Sequence, residues 1–258
     1  MHEDIFIAAD QILEGARRRG LTVRLLGGMA IRMRCPNAAA HPALARKVPD
    51  IDLITSKKAS KALSEMFVEM GVKPNSMFNA LHGDRRMLFT DVKLGRQIDV
   101  FLDIFEMCHR FDFSKRMSLD DRTLPLADLL LTKLQIIEIN EKDYKDVICL
   151  FLDHPLSERD EKESINSAYL ASLCSQDWGV HHTITRNLDW TRAFVKDMPD
   201  LEPDRKELVI SRINVLLDRI EKEPKSLRWK MRARIGEKVI WYDLPDRVGK
   251  ITLGQENA

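Results

Sequence analysis

Arg24–Thr55 reads RLLGGMAIRMRCPNAAAHPALARKVPDIDLIT. A short apolar strand, Leu21–Leu26, ends in Gly27 and Gly28, and Met29–Met33 opens a helix. Cys35–Pro49, with its prolines and alanine run, reads as a loop, and Asp50-Ile51-Asp52 heads a second strand over Ile51–Ile54. Glycines between a strand and a helix let the backbone approach a ligand closely and present N–H groups to an anion such as a di- or triphosphate. A plain tight corner is built the same way, so the glycines alone decide nothing. On a strand Asp50 and Asp52 share one face. Carboxylates held that close favour a divalent cation, and an oxygen-only site with room for phosphates suits Mg²⁺ or Mn²⁺. Two solvated acids at a strand end are the competing account.

Outward from this stretch, apolar spacing predicts a helix over residues 4–19, closed by Gly20, and another over Lys57–Met70. Period-two patterning then gives a hairpin, Arg86–Val92 and Gln97–Asp103, turning through Lys93–Arg96. Asp99, Phe101 and Asp103 share one face of its second strand. Asp99, at the head of QIDVFLD, is the preferred third acid and Asp103 its rival. Three carboxylates on neighbouring strands would hold two metal ions, one gripping a triphosphate and one activating an attacking hydroxyl. Arg85 and Arg86 lie close enough to reach phosphate or acceptor, though a solvated turn accounts for them equally well.

Leu126–Ile139 reads as a buried helix carrying a single lysine, Lys133. An ammonium in LLLTKLQII needs an anion, either a triphosphate or an acid, unless its stem carries it to solvent. Asn140–Leu152 continues as a more polar helix, with Asp143 and Asp146 on one face at i, i+3. In EKDYKD the neighbouring Lys142 and Lys145 also allow a plain solvated surface.

The chain has 258 residues, 44% hydrophobic and 31% charged, with a formal net charge of +1. That composition suits a globular core and gives no global pull toward nucleic acid. No apolar run is long enough for a membrane span. Acids near the N-terminus argue against an export signal. Cys35, Cys108, Cys149 and Cys174 form no CxxC pair, which argues against zinc or disulfides, suits a cytoplasmic location and makes each a small buried residue.

Strand, Gly-Gly, helix, Asp-x-Asp and a later strand Asp resemble the DNA polymerase β-like nucleotidyltransferase superfamily. The closer resemblance is to its AbiEii-type branch, the nucleotidyltransferase-like toxins of type IV toxin–antitoxin systems. It rests on Gly27-Gly28-Met29-Ala30-Ile31-Arg32, the long gap before Asp50 and Asp52, and Lys133 followed by Asp143 and Asp146, and it covers about residues 20–150. It implies an α+β nucleotidyltransferase fold, a small mixed sheet flanked by helices over residues 1–150; composition and apolar spacing add a mainly helical region over 151–258. It also implies transfer of a nucleoside monophosphate from an NTP to an acceptor hydroxyl, with release of pyrophosphate. Asp50, Asp52 and Asp99 would hold Mg²⁺ or Mn²⁺, Gly27 and Gly28 would cradle phosphate, and Lys133 would neutralise it. Asp143 or Asp146 would orient a substrate group, and an antitoxin protein would be a partner. The wider superfamily carries Ser where this chain has Gly28, so phosphate contacts fall to backbone N–H groups with Arg32 as helper. A toxin-like enzyme acting on tRNA ends, a small-molecule nucleotidyltransferase and a non-catalytic nucleotide-binding module stay open as alternatives.

The C-terminal region predicts helices over Ser167–Cys174, Trp178–Lys196, Lys206–Glu223 and Ser226–Ile235, a short strand at Lys238–Tyr242 and a loose tail after Pro245. Trp178, Trp190, Trp229 and Trp241 are expected in its core, and His181-His182 as ordinary packing residues. Lys225, Arg228, Lys230, Arg232 and Arg234 around Trp229 would track an RNA backbone. Pairing with Glu221, Glu223 and Glu237 is the other explanation.

Overall fold

The computed structural model describes residues 3–93 and 95–244. Leu94, in the expected hairpin turn, and the expected loose tail after Pro245 lie outside the described residues. The architecture is mixed α+β, a small mixed sheet embedded in helices. Helix α1 (Glu3–Arg18) buries Ile5, Ala9, Ile12 and Ala16, and the chain turns at Gly20 with φ +66°. Strand β1 (Val23–Leu26) runs directly into α2 (Gly27–Arg34), so both glycines belong to the helix. The segment expected as loop contains a short α3 (Pro36–Ala39) and a single 3₁₀ turn at Pro42–Leu44 before β2 (Ile51–Thr55).

Next come α4 (Ser60–Glu69), β3 (Val72–Pro74), α5 (Ser76–His82), β4 (Arg86–Asp91) and β5 (Arg96–Leu102). The strand order is β1-β2-β5-β4-β3. Only β2 and β5 run parallel within that path, and the intervening elements form their crossover. β3 and α5 are too short to show a period, so sequence patterning did not find them. Asn75 caps α5, accepting from Phe78 N at 3.1 Å. Asn79 then pairs with the backbone of Leu88, accepting at 2.7 Å and donating at 3.0 Å, which stitches α5 to β4. After β5 the chain reverses at Asp103, a non-glycine residue at φ +58°, into the hairpin β6 (Ile104–Glu106) and β7 (Arg110–Asp112).

Helices α6 (Leu126–Leu134) and α7 (Glu141–Asp153) pack with α2. α6 stops before the expected Ile139. Asn187 donates to the carbonyls of Leu134, the last residue of α6, and of Ile136 at 2.8 and 2.7 Å, and Arg186 donates to Ile137 O at 3.1 Å, so the carbonyls at and just beyond the helix end find side-chain partners rather than another turn. A two-residue pair, β8 (Leu156–Ser157) and β9 (Ile165–Asn166), leads into α8 (Ser167–Gln176), α9 (Trp178–Asp197), α10 (Pro203–Lys222) and α11 (Leu227–Ile235). The expected strand at Lys238–Tyr242 is absent; a 3₁₀ turn and irregular chain stand there. Trp190 is 45% exposed rather than core, and Trp178, Trp229 and Trp241 are only half-buried. All four cysteines are buried. Among the described residues no helix is long and apolar enough to cross a membrane.

One contiguous apolar core runs from Ile5 in α1 to Ile220 in α10. Residue 150 falls inside α7, whose Val147, Ile148, Leu150 and Phe151 are fully buried and which contacts α2 and α6 as well as α9 and α10. Phe151→Ala should therefore destabilise the whole chain by about 3–5 kcal/mol. Urea unfolding followed by tryptophan fluorescence and by circular dichroism should move together, and separate transitions would contradict a shared core.

Candidate functional site

The site is built where β1 ends. Leu26 pairs in register with Asp52, and Asp52 with Asp99 across the parallel β2–β5 ladder. Same-register neighbours in a parallel pair point to the same face, so the two carboxylates stand side by side. Gly27 adopts φ +66°, and a Cβ there would lie 2.0 Å from Asp52 Oδ2. A Cβ on Gly28 would lie 2.0 Å from Arg46 Nη2. Glycine is required at both places by close approach, and at Gly27 also by backbone conformation.

Burial first, and then the neighbouring Asp99, push the Asp52 carboxyl up to about 7. Asp50 adds to the upward push, while Lys133 and Arg86 oppose it. Asp50 itself is exposed at the entrance to β2. Asp103, the rival third acid, is turned away by its positive φ and accepts from the Lys57 backbone N–H at 3.0 Å. Asp99 is 4% exposed and is held by a two-pronged ion pair. Arg86 Nε donates to Oδ1 at 2.8 Å and Nη2 donates to Oδ2. Among the described residues no group of three His, Cys, Asp or Glu side chains is arranged to hold a metal ion. Asp52 and Asp99 thus stand side by side on adjacent inner strands with Asp50 exposed just before β2, and the three do not form the expected triad of ligands. Asp52 and Asp99 are oxygen donors of the kind a divalent ion takes, but they supply only two carboxylates, and that of Asp99 is already paired with Arg86.

Across the Gly-Gly turn the charges are of both signs. Lys133 turns its ammonium to acids rather than out to solvent; its side chain is 13% exposed and Nζ lies 3.2 Å from Asp143 Oδ1 and 3.0 Å from Asp146 Oδ2. Burial lowers the ammonium's proton affinity, but Asp146 and Asp143 outweigh it and hold the pKa above its ordinary value. Asp143 and Asp146 are both buried, so the solvated-surface account of EKDYKD fails for these acids. Arg46 completes the network, its Nε donating to Asp146 Oδ1 at 2.7 Å and its Nη2 to Oδ2. It comes from the loop that sequence patterning left without a role, and it covers Gly28. Arg32 turns elsewhere. Its guanidinium donates to Ala39 O at 3.0 Å and Leu44 O at 2.9 Å, which ties the loop to α2, while its buried Nε has no partner. With Arg46 and Lys47 it lines a cavity of about 570 Å³.

The basic tract divides. Lys225 Nζ donates to the Ile220 and Glu221 carbonyls at the end of α10. Arg232 lies 4.8 Å from the centre of the Trp178 ring and donates to Gly236 O and Val239 O at 2.6 Å. Arg228, Lys230 and Arg234 are exposed. His181 and His182 pair with Glu221 and Glu237 at 3.0 and 3.1 Å, and His182 stacks on Trp178, as packing residues do.

No family model matches this chain, and no curated protein matches it. The chemistry of this group of residues rests on its own geometry. Carboxylates lie on one side of the Gly-Gly turn, and a lysine and an arginine, each bound to acids, lie on the other.

The Asp52 carboxyl titrates near 7 when folded, against 3.8 ordinarily. Between those values the folded state keeps a proton that the unfolded chain has lost. Its stabilising effect is therefore present at low pH and is lost as pH rises through 7. Metal-free protein should melt roughly 5 °C lower at about pH 8 than at about pH 5, and Asp52→Asn should flatten that difference. An identical pH dependence in both proteins would refute the assignment. Asp146→Ala strips a carboxylate from both Lys133 and Arg46 and should cost about 3–5 kcal/mol. Asp143→Ala, which affects Lys133 alone, should cost less, and the reverse order in urea titrations would count against this network.

Proposed function

We propose that this chain is a metal-dependent nucleotidyltransferase of the DNA polymerase β-like kind, closest in character to the AbiEii-type branch. It moves a nucleoside monophosphate from an NTP to an acceptor hydroxyl. The observation that carries this reading is the register pairing of Asp52 with Asp99 directly beside the Gly27 turn. An acid pair at a phosphate-type turn suits chemistry at phosphorus, and the α+β sheet with its flanking helices is compatible with a nucleotidyltransferase fold.

Asp52, with Asp50 at the mouth, would hold Mg²⁺ or Mn²⁺, with Asp99 as the neighbouring carboxylate. The bound ion would neutralise phosphate charge and favour an ionised acceptor oxygen. Gly27 and Gly28 are buried, with Arg46 lying over Gly28, so their backbone N–H groups would meet a triphosphate only where Arg46 gives way. Lys133 and Arg46, now held by Asp143 and Asp146, supply positive charge on the far side of the turn. The acceptor oxygen bonds to the α-phosphorus and the bond to the β-bridging oxygen breaks. Pyrophosphate leaves with the electron pair, and the hydroxyl proton passes to water. Fixed charges and positioning supply most of the acceleration, because little covalent work falls to the protein.

A toxin-like action on tRNA ends, in a cytoplasmic setting with an antitoxin partner, is the second reading. The exposed Arg228, Lys230 and Arg234 on α11 favour it, and charge reversal there would remove RNA binding without touching the donor side.

Incubation with each α-³²P-labelled NTP, Mg²⁺ and either total RNA or a metabolite extract should label one acceptor class. Asp52→Ala should reduce labelling by at least about 10²-fold, the scale of losing a principal charge-stabilising group. Undiminished labelling by that variant would defeat the proposal.

A further inference from the structure

Asp99 already has a cation. Its two carboxylate oxygens are both engaged by the Arg86 guanidinium, Nε to Oδ1 at 2.8 Å and Nη2 to Oδ2. The fork follows from the β4–β5 hairpin. Leu88 stands opposite Asp99, and Arg86, two residues earlier on the same face, reaches it diagonally. The guanidinium lies near two aromatic rings, 5.1 Å from the centre of Phe101 and 5.8 Å from that of Phe78, and Nη1 is 3.8 Å from the Met107 sulfur. The side chains of Arg86 and Asp99 are 19% and 5% exposed. Phe78 is itself fixed, because α5 is stitched to β4 through Asn79. Arg86 therefore has its charge, its plane and its stem all held in place.

Accepting the nucleotidyltransferase reading, we propose that the site takes one divalent ion, at Asp52, and that Arg86 is the second positive charge. A guanidinium is charged at every accessible pH, matches a carboxylate in a two-pronged fork and is more weakly hydrated than an ammonium, so it suits a largely buried partner such as Asp99. A second metal at Asp99 would have to take both carboxylate oxygens from it and leave a half-buried arginine without that partner. Such a displacement is unfavourable, because a buried charge deprived of its counter-ion keeps its full desolvation cost. Arg86 acts through Asp99, as a positioning residue that sets how many ions the acid pair accepts. A cavity of about 160 Å³, lined by Arg86, Arg85, His82, Phe78 and Phe101, opens on its outer side. The fixed charge thus stands between the acid pair and a pocket of a size for a ring or a small polar group.

Metal stoichiometry tests this directly. Full-length protein stripped with EDTA is dialysed to equilibrium against Mn²⁺ and a mixture of the α,β-methylene analogues of ATP, GTP, CTP and UTP. Mn²⁺ per chain is then counted by atomic absorption. Wild type should hold one ion. Arg86→Met, which keeps an apolar stem beside the rings, should hold two, and Arg86→Lys should stay at one. Asp99→Asn should leave the wild-type ion in place, and this variant keeps the test decisive if Arg86→Met does not fold by circular dichroism. Two ions on the wild type, or loss of the ion in Asp99→Asn, would overturn the assignment of Arg86 and leave the parent reading standing. No ion on the wild type would overturn both.

Discussion

Two carboxylates on adjacent parallel strands are the constraint around which this molecule is arranged. The β2–β5 ladder fixes Asp52 and Asp99 as register neighbours with their side chains on one face. Their repulsion must be met locally, since a partly buried site has little water to screen it. The protein meets it unevenly. Asp99 receives an arginine fork, whereas Asp52 is left with its proton affinity raised. That asymmetry separates the two acids chemically, although they look equivalent in sequence.

A second charge network faces the first across the glycine turn. Lys133, Arg46, Asp143 and Asp146 come from α6, from the loop before β2 and from α7. Two cations and two acids leave this group neutral in sum, so it sits in a low-dielectric place without an uncompensated charge. An anionic ligand at Gly28 would meet cations already oriented there, at the cost of loosening contacts with the acids. The network is therefore a brace that ties α6, α7 and the loop before β2 together beside the turn.

Much of the secondary structure, and the acids of the site, could be read from the sequence, because strong periodicity and residue chemistry are local properties. The strand–glycine–helix corner, the β4–β5 hairpin, the pairing of Lys133 with acids and the long C-terminal helices all carried such signals. Arg46 did not. Its partner Asp146 is a hundred residues away and it lies in a loop with no period, so only the folded chain brings them together. Arg86 was nearer to being legible. Once the hairpin turn is placed between Asp91 and Arg96, the register puts Leu88 opposite Asp99 and makes the diagonal contact computable. Arg32 misled for the opposite reason: a cation one turn into a phosphate-type helix looks available, yet its guanidinium is occupied by the carbonyls of Ala39 and Leu44. The exposed Trp190 shows the same limit, since residue type indicates a preference for burial and not the face on which a residue falls.

The way α6 ends has a consequence for how this chain can be divided. Its last carbonyl, Leu134 O, and those of Ile136 and Ile137 just beyond it accept from Asn187 and Arg186 of α9, 49–53 residues downstream, and Lys133 sits in the last turn of α6. The helix that carries the lysine is thus held at its end by the C-terminal half. A fragment stopped near residue 150 would cut α7 within its buried stretch and strip those carbonyls of their donors. The N-terminal half suggested by motif boundaries shares its apolar core with the C-terminal helices, and any shuffling or fusion that cuts near residue 150 would have to carry α9 along to keep these contacts.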